Sequence, residues 1–388
     1  MPQKNLKNLK IVFLAMFAFS LYVAITGYIN SSFIESFGWG NTIISSIYIT
    51  NAIITLILLS FSSQIISKLG VRKLLLINLS TLGGVLLGLL FLPASFFHFI
   101  LFAFMLSLNS FIIFSIDIIL EHFSMDEFTG RIRGLFLVLI NLTWAIAPIP
   151  AGYIIDRFGI SLVYVLGLLG VLAALLIFLS HFRKVAFKKP KPVSFTKGIK
   201  NLLSNRNRKN IFALAFFLQL FYASAMIYMP LHLHNAIGFN WSEIGLLLMV
   251  TNLPFLIFLY PVGQLADRYF GEQEMMIFGY VIGGIASVLF AIVTSTSVLV
   301  WAGLFFFSRI GISIVEATTE SYFFKIVDDH DVDAISFQRK AIPLGYLVAP
   351  LIAVITGLFA PSYNLVFLII GIMLFIALYP ATKIVDTK

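Results

Sequence analysis

The sequence predicts an all-α membrane protein of twelve transmembrane helices with both termini in the cytoplasm. Three observations lead to this fold class: 60% of the 388 residues are hydrophobic, only 11% are charged, and the cations are distributed unevenly along the chain. An average soluble domain carries about 25% charged residues. The composition therefore excludes a water-soluble enzyme, a disordered chain and a soluble nucleic-acid-binding protein, although the net charge is +9. The chain contains no cysteine, which excludes a disulfide framework and thiolate chemistry.

The predicted spans follow from length, because a helix needs about 20 apolar residues to cross about 30 Å of hydrocarbon. Twelve stretches are long and continuously apolar, unlike the short alternating strands of a barrel. They cover 11–30, 42–66, 73–92, 97–121, 134–155, 160–180, 211–231, 243–266, 275–294, 298–324, 342–359 and 363–380. The first stretch is longer than a signal-peptide core and precedes no clear cleavage site, so we expect it to be retained.

The distribution of Lys and Arg predicts the orientation. Of the 26 cationic residues, 24 fall on one face when they are assigned to the segments between predicted spans. Arg157 falls on the other face, and Arg309 lies within span 10. Because cationic loops stay in the cytoplasm, both termini are predicted to be cytoplasmic in a multi-pass protein of the cytoplasmic membrane.

The two halves of the chain resemble each other at an offset near 200 residues. The matches run in order: Tyr22 and Tyr28 with Tyr222 and Tyr228, Thr50-Asn51 with Thr251-Asn252, Asp117 and Glu121 with Glu316 and Glu320, and Ala147-Pro148 with Ala349-Pro350. We therefore predict two six-helix bundles, 1–182 and 211–388, joined by a cytoplasmic linker over 183–210. This linker contains ten basic residues. It either anchors the topology near anionic lipid or contacts a protein partner.

Related motifs occur in the loop between spans 2 and 3, over 63–73, and in the loop between spans 8 and 9, over 263–271. Both resemble the signature G-x-x-x-D-R-x-G-x-R-R of the major facilitator superfamily (MFS). The matching positions are Gly70, Arg72, Lys73, Gly263, Asp267, Arg268 and Gly271. The first copy has Ser63 and Ser67 where the family has Gly and Asp, and the second has one residue inserted before its last glycine. Arg309-Ile310-Gly311 also resembles the intramembrane R-x-x-x-G element of this family, loosely.

This resemblance implies the MFS fold of two pseudo-symmetric six-helix bundles, with spans 1, 4, 7 and 10 around a central cavity. It also implies that Asp267 caps the amino end of span 5 and steadies the inside-closed state. For the neighbouring acids Glu272 and Glu274 two interpretations stay open. They either attract the basic loop between spans 2 and 3 or are solvated loop charges of little energetic value.

Polar side chains in the spans are the candidates for solute binding, because polar groups in lipid must face protein or water. The predicted cavity residues are Tyr22, Thr26, Asn51, Asn109, Asn141, Gln219, Tyr222, Asn252 and Arg309. Arg309 lies about 16 Å into span 10, near the midplane. It either bonds to carbonyls of neighbouring helices or holds an anionic group of the solute. A direct ion pair between Arg309 and Glu316 is disfavoured, since about 10.5 Å along the helix axis separates the two residues.

Four carboxylates near the inner ends of spans 4 and 10 are the predicted coupling or gate residues: Asp117, Glu121, Glu316 and Glu320. We expect Glu121 and Glu320 to pair with loop cations, while the other two lie one turn deeper. No carboxylate lies near the midplane of spans 1 or 7, so proton coupling stays open.

The sequence thus predicts a secondary active transporter that moves a small organic solute across the membrane by alternating access. Its predicted partners are the solute, the lipid bilayer and, with coupling still open, protons. No nucleic acid, cofactor or metal is expected, and the protein is expected to be a monomer. A transport-inactive receptor and a facilitative uniporter remain the alternatives. A membrane-embedded enzyme is disfavoured because all six histidines lie in loops or at interfaces.

Overall fold

The computed structural model describes residues 3–93, 95–123, 129–182, 205–268, 271–326, 338–360 and 362–385, and the regular structure within these ranges is helical. The helices of the first half are α1 Gln3–Gly27, α2 Asn30–Glu35, α3 Asn41–Leu69, α4 Val71–Phe91, α5 Phe96–Phe123, α6 Thr129–Ile146, α7 Pro148–Phe158 and α8 Ile160–His181. Those of the second half are α9 Arg206–Leu231, α10 Trp241–Arg268, α11 Glu272–Ile292, α12 Val298–Ile326, α13 Ala341–Gly357, α14 Tyr363–Ile376 and α15 Leu378–Ala381.

Each predicted span lies on one helix or on two consecutive helices. Within the described ranges, ten segments are long and apolar enough to cross a membrane, and α13 is a shorter apolar helix. The protein is therefore a multi-pass membrane protein, while the number twelve and the orientation of the termini stay predictions. Most of the predicted linker, 183–204, lies outside the described residues.

Proline marks two places where a predicted span departs from one continuous α-helix. Span 5 is divided between α6 and α7 at Ala147, because Pro148 has no N–H and begins a new helix. Pro230 lies near the end of α9, which continues as a π-helical turn over His232–Ile237. Gly238 ends this turn with a φ of 90°, a left-handed conformation that favours glycine.

The first compact unit comprises Met1–Phe37 and Ile53–Pro192. Helix α1 packs against α5, α6 and α8, and α4 packs against α5 and α8. Small residues permit the close contact of α1 with α8: a Cβ at Gly170 would lie 2.7 Å from the carbonyl oxygen of Ala18. Such close approach is how helices associate where no hydrophobic force drives them together.

The second unit comprises Gly38–Ala52 and Val193–Lys388. Helix α9 packs against α12, α13 and α14, and α11 packs against α12 and α14. These five helix pairs repeat those of the first unit, six predicted spans later, as the internal repeat leads one to expect. A reciprocal glycine contact joins α11 to α12, since a Cβ at Gly279 would lie 2.6 Å from the carbonyl oxygen of Gly311.

The start of α3 packs within the second unit. Ser45 Oγ and the Tyr228 hydroxyl lie 2.8 Å apart, and the Tyr363 hydroxyl donates to Asn41 Oδ1 over 2.5 Å. From Ile53 onward the same helix packs within the first unit. The predicted bundle 1–182 does not anticipate this division of α3.

Candidate functional site

A polar row inside the second unit consists of Arg309, Tyr222 and Glu316. Arg309 and Glu316 lie seven residues apart on α12 and therefore on one face of it. Tyr222 comes from α9, and its hydroxyl donates to Glu316 Oε2. The guanidinium carbon of Arg309 lies 4.8 Å from the centroid of the Tyr222 ring and 5.7 Å from that of Phe255 on α10. Tyr222 thus contacts both residues, which are too far apart along the helix axis for a direct ion pair to be favoured.

The ring and the hydroxyl of Tyr222 make different interactions in the row. The electron-rich ring faces attract the guanidinium, an interaction that gains strength where water is excluded. The hydroxyl forms a charge-assisted hydrogen bond to the carboxylate. The sequence offered carbonyl contacts or a solute anion for Arg309, and neither interpretation includes these aromatic contacts. No polarity pattern could have indicated Phe255.

A cavity of about 120 Å³ lies beside Glu316, between α9, α12 and the start of α13. Its polar lining combines carboxylates, amides, a hydroxyl and a guanidinium, from Glu316, Glu320, Gln219, Gln338, Thr319 and Arg339. Three of these residues, Gln219, Glu316 and Glu320, are predicted site residues, so the structure brings together part of the predicted set. The other three were missed, although Thr319 lies three residues from Glu316 along the same helix.

Thr319 differs from several other helical threonines of the chain. Thr50, Thr251, Thr318 and Thr356 each donate to the carbonyl four residues earlier. Thr319 is 4% exposed, and its hydroxyl has no hydrogen-bond partner among the described residues. The buried Gln338 Oε1 likewise has no partner within the described part of the chain. Buried polar atoms are rarely left without partners, so the cavity has capacity for a polar guest.

The wall between α9 and α13 depends on Gly345. A Cβ at this position would lie 2.6 Å from the carbonyl carbon and 2.7 Å from the carbonyl oxygen of Gln219. Only glycine lets the α13 backbone lie this close to α9 without a shift of one helix. Gly345 therefore positions Gln219 at the edge of the cavity.

The other predicted cavity residues occupy several environments. Tyr22 and Thr26 are buried on α1, where the Thr26 hydroxyl donates to the Tyr22 carbonyl oxygen. Asn252 is buried on α10, and its Nδ2 donates to the Leu248 carbonyl oxygen. Asn51 is buried on α3, while Asn109, Asn141 and Asp117 are half-buried in the first unit. Their role in solute binding stays a prediction.

The loop motif is partly explained by backbone geometry. Gly70 alone joins α3 to α4 and has a φ of 78°, which is strained for any residue with a side chain. Gly271 precedes α11, and its N–H donates to Glu274 Oε2 over 3.2 Å. Arg72 and Lys73 lie in the first turn of α4.

The predicted cap of Asp267 on span 5 lies outside the described residues, together with the surroundings of several related side chains. Gly263, Asp267 and Arg268 lie on the last turns of α10, but their surroundings fall outside the described residues, as does the side chain of Glu121. The Asp267 cap and the pairing of Glu121 therefore stay predictions.

The interpretation of Glu272 as a solvated loop charge is wrong, whereas an attraction of the two acids to the basic loop between spans 2 and 3 stays a prediction. Glu272 is only 1% exposed, and the Lys325 Nζ lies 2.5 Å from its Oε1 within the same unit. Glu274 is used to cap its own helix, as its hydrogen bond to Gly271 shows. The Glu272 carboxylate is thus paired with Lys325 of α12, whereas Glu274 is an exposed charge that also caps its helix.

The fold and its apolar helices, with ionisable side chains among them, define a multi-pass membrane protein. The chain belongs to the Major Facilitator Superfamily, whose family profile matches residues 12–331 and again 211–386. The resemblance that the loop motifs carry is thereby confirmed.

Known relatives agree with this assignment. An MFS-type transporter of Methanocaldococcus jannaschii, itself described as uncharacterized, is 28% identical over 209 residues. That match covers 52% of this chain and 52% of the relative, so the aligned region spans about half the length of each.

Solved transporters share the fold along nearly the whole chain. A POT family transporter in complex with 5-aminolevulinic acid gives a TM-score of 0.80 at 14% identity, covering 97% of this chain and 95% of that one. A nucleoside transporter gives 0.73 at 12% identity, with 97% and 99% covered. A bacterial homolog of the lysosomal transporter Spinster gives 0.72 at 13% identity, with 97% and 95% covered. Family and fold together support membrane transport and indicate a transporter rather than an enzyme.

Proposed function

We propose that the protein is a secondary active transporter that moves a small organic solute across the cytoplasmic membrane by alternating access, coupled to protons. The family and the fold support transport through two bundles. Alternating access places the solute site near the middle of such a fold and exposes it to each side in turn. We further propose that the protein works as a monomer with both termini in the cytoplasm.

The observation that carries the proposal is the Arg309–Tyr222–Glu316 row. Ionisable groups among apolar helices are costly to keep and typically belong to solute or ion pathways. A proton taken up by Glu316 changes the charge of the row by one and alters the acceptor that Tyr222 meets. Glu316 is therefore the group that we assign to proton coupling, with Tyr222 as its hydrogen-bond partner.

The test uses purified protein in proteoliposomes loaded with the pH dye pyranine. Amino acids, dipeptides, nucleosides and monosaccharides are added outside one class at a time, and radiolabelled solute is measured in parallel. We expect at least one class to enter together with a change of internal pH. Glu316→Gln should abolish the pH change.

Glu243→Gln is the matched control. Glu243 lies in the first turn of α10 and accepts a hydrogen bond from the Asn240 N–H over 3.0 Å, which a glutamine oxygen can also accept. This variant should retain both solute entry and the pH change. Solute binding without entry would instead identify a receptor, and entry without a pH change a facilitative uniporter; each result would overturn the proposal.

A further inference from the structure

The cavity beside Glu316 has an excess of hydrogen-bond acceptors and of negative charge. Its charged lining consists of Glu316 and Glu320 against Arg339, so two carboxylates and one guanidinium leave one net negative charge. The two acids lie four residues apart on α12, which puts them on neighbouring turns of one face. One monovalent cation would neutralise this lining.

The orphaned polar atoms of the same cavity indicate a guest that donates hydrogen bonds. Thr319 lies between the two acids, is 4% exposed, and keeps its hydroxyl away from the helix carbonyls that the neighbouring Thr318 uses. Gln338 Oε1 is a buried acceptor for which the described part of the chain provides no donor. Leaving such atoms without partners is costly, so a bound donor would stabilise the site.

The chemistry of the lining distinguishes among cations. Among the described residues, no group of three His, Asp or Glu side chains is placed to hold a metal ion. An ammonium group carries three N–H donors and one positive charge. Those donors match two carboxylates and a hydroxyl, and the apolar lining of Leu218, Phe323 and Ile342 can contact a short aliphatic chain.

We infer that the cavity between α9, α12 and the start of α13 binds the ammonium group of a small organic cation, held by Glu316, Glu320 and Thr319. This inference rests on the proposed function and deepens it, because it names the chemical class of the solute. Tyr222 keeps one oxygen of Glu316 engaged through its hydroxyl, which orients the carboxylate at the cavity wall.

The test is a thermal-shift titration of the full chain in detergent with three probes of equal length: n-butylammonium, n-butanol and butyrate, at constant ionic strength. We expect n-butylammonium alone to raise the melting temperature. Glu320→Gln and Thr319→Val should each weaken its apparent affinity about tenfold, since the first removes the negative charge of an acceptor and the second removes a hydrogen bond to the ammonium group. Glu320 is exposed, so its variant should fold as the parent does.

Two matched controls separate binding from folding. Thr318→Val removes a buried hydroxyl from the adjacent position, where it bonds to the Ile314 carbonyl oxygen over 2.7 Å, and should leave the n-butylammonium shift intact. Glu243→Gln removes a carboxylate elsewhere and should do the same. An equal shift with butyrate or n-butanol, or an unchanged affinity in both cavity variants, would overturn the inference.

The result of this binding titration can be distinguished from the result of the transport test of the proposed function. If n-butylammonium binds but no probe class enters proteoliposomes, the ammonium site stands and transport fails. If another solute enters with a pH change while n-butylammonium neither binds nor competes, the proposed transport stands and the ammonium site fails.

Discussion

At the scale of single residues, Tyr222 has two separable functions, because its ring contacts Arg309 and its hydroxyl contacts Glu316. Tyr222→Phe keeps the ring and removes the hydrogen bond, whereas Tyr222→Leu removes both. We expect Tyr222→Phe to reduce the solute-dependent pH change about tenfold, the value of one charge-assisted hydrogen bond, with little loss of thermal stability. Tyr222→Leu should also lower the melting temperature, because Arg309 then loses an aromatic contact. Pyranine traces and melting curves of the two variants measure both effects.

Tyr280 provides the control for this experiment. It is fully buried on α11, a helix that contributes no residue to the row, and its hydroxyl donates to the Leu214 carbonyl oxygen over 2.5 Å within the same unit. Tyr280→Phe should destabilise the fold by about 1 to 2 kcal/mol and leave the pH change per folded molecule unaltered. A loss of the pH change in Tyr280→Phe equal to that in Tyr222→Phe would contradict a specific role for Tyr222.

The sequence places Arg309 and Glu316 among the candidate site residues, because a charge within a long apolar stretch is visible without a structure. It could not predict their contacts. Those depend on how α9 and α10 are rotated against α12, and Phe255 is one of many phenylalanines in a chain that contains 41. Thr319 was not predicted, for a related reason. A helical threonine usually bonds to a carbonyl of its own helix, and only the structure shows that the Thr319 hydroxyl does not.

At the scale of helices, the contact of α9 with α13 at Gly345 supports the cavity wall. Gly345→Ala would bring a methyl group to 2.6 Å from the backbone of Gln219, which cannot move aside as a flexible side chain can. Overpacking of this kind costs about 1 to 3 kcal/mol. We therefore expect a lower melting temperature and a weaker n-butylammonium shift, both read from the same titration.

Gly303 on α12 is the matched control, because a methyl group added there would meet none of the described residues within 4 Å. Gly303→Ala should be neutral or slightly stabilising, since alanine is the better helix former. If Gly345→Ala behaved like Gly303→Ala, α9 and α13 would not be held as closely as the structure has them.

A second prediction at this scale concerns the ion pair between α11 and α12. Lys325→Met would remove the cation that faces the buried Glu272 carboxylate; because Lys325 is 38% exposed, we expect a loss below the about 3 to 5 kcal/mol of a fully buried pair. Glu272→Gln introduced into the same chain should recover much of that stability, because a neutral amide replaces the stranded charge. The measurement is a double-mutant cycle of melting curves, with the exposed Lys383→Met as the control. Equal melting temperatures for Lys325→Met and the control would show that the pair contributes nothing.

The Lys325–Glu272 ion pair is an example of a contact between helices that the sequence could not predict. The helices themselves were predictable from apolar length, and each predicted span lies on helix. Lys325 and Glu272 are 53 residues apart, and only the packing of α11 against α12 brings them together. Without knowledge of that packing, a charged residue beside a turn, such as Glu272, is interpreted as a solvated loop charge.

At the scale of the whole molecule, the repeat gives the two units the same helix pairs but different chemistry. Glu316 and Glu320 correspond to Asp117 and Glu121 at an offset of 199 residues, and the same offset pairs Arg309 with Ser110. The intramembrane cation therefore has no counterpart in the first unit. The repeat predicts the architecture of each unit, while the site depends on a departure from that repeat.

The packing of 38–52 in the second unit could not be read from the repeat. It depends on hydrogen bonds such as Ser45 to Tyr228 and Tyr363 to Asn41, which join residues 183 and 322 positions apart. Hydroxyl and amide groups are common along the chain, and their spacing gives no signal of such long-range partners.

Two predicted spans are not among the ten long apolar segments: span 8, on the 28-residue α10, and span 11, on α13, which has 17 residues and a length of about 25 Å at 1.5 Å per residue. This is short of the roughly 30 Å hydrocarbon core, although local thinning of the bilayer and snorkelling of flanking residues can accommodate a difference of this size. We predict that α13 crosses. Three crossings then separate the segment before α12 from the end of the chain, and those two points lie on opposite sides of the membrane.

Because the chain contains no cysteine, single introduced cysteines report on this topology without background. Thr296 lies between α11 and α12, Thr382 follows α15, and both are exposed, so Thr296→Cys and Thr382→Cys are chemically matched probes. In intact cells a membrane-impermeant maleimide should label Thr296→Cys, while Thr382→Cys should react only after permeabilisation, since cationic segments remain inside. Labelling of both sites in intact cells, or of neither, would mean that α13 does not cross. The reversed pattern would keep three crossings and invert the predicted orientation.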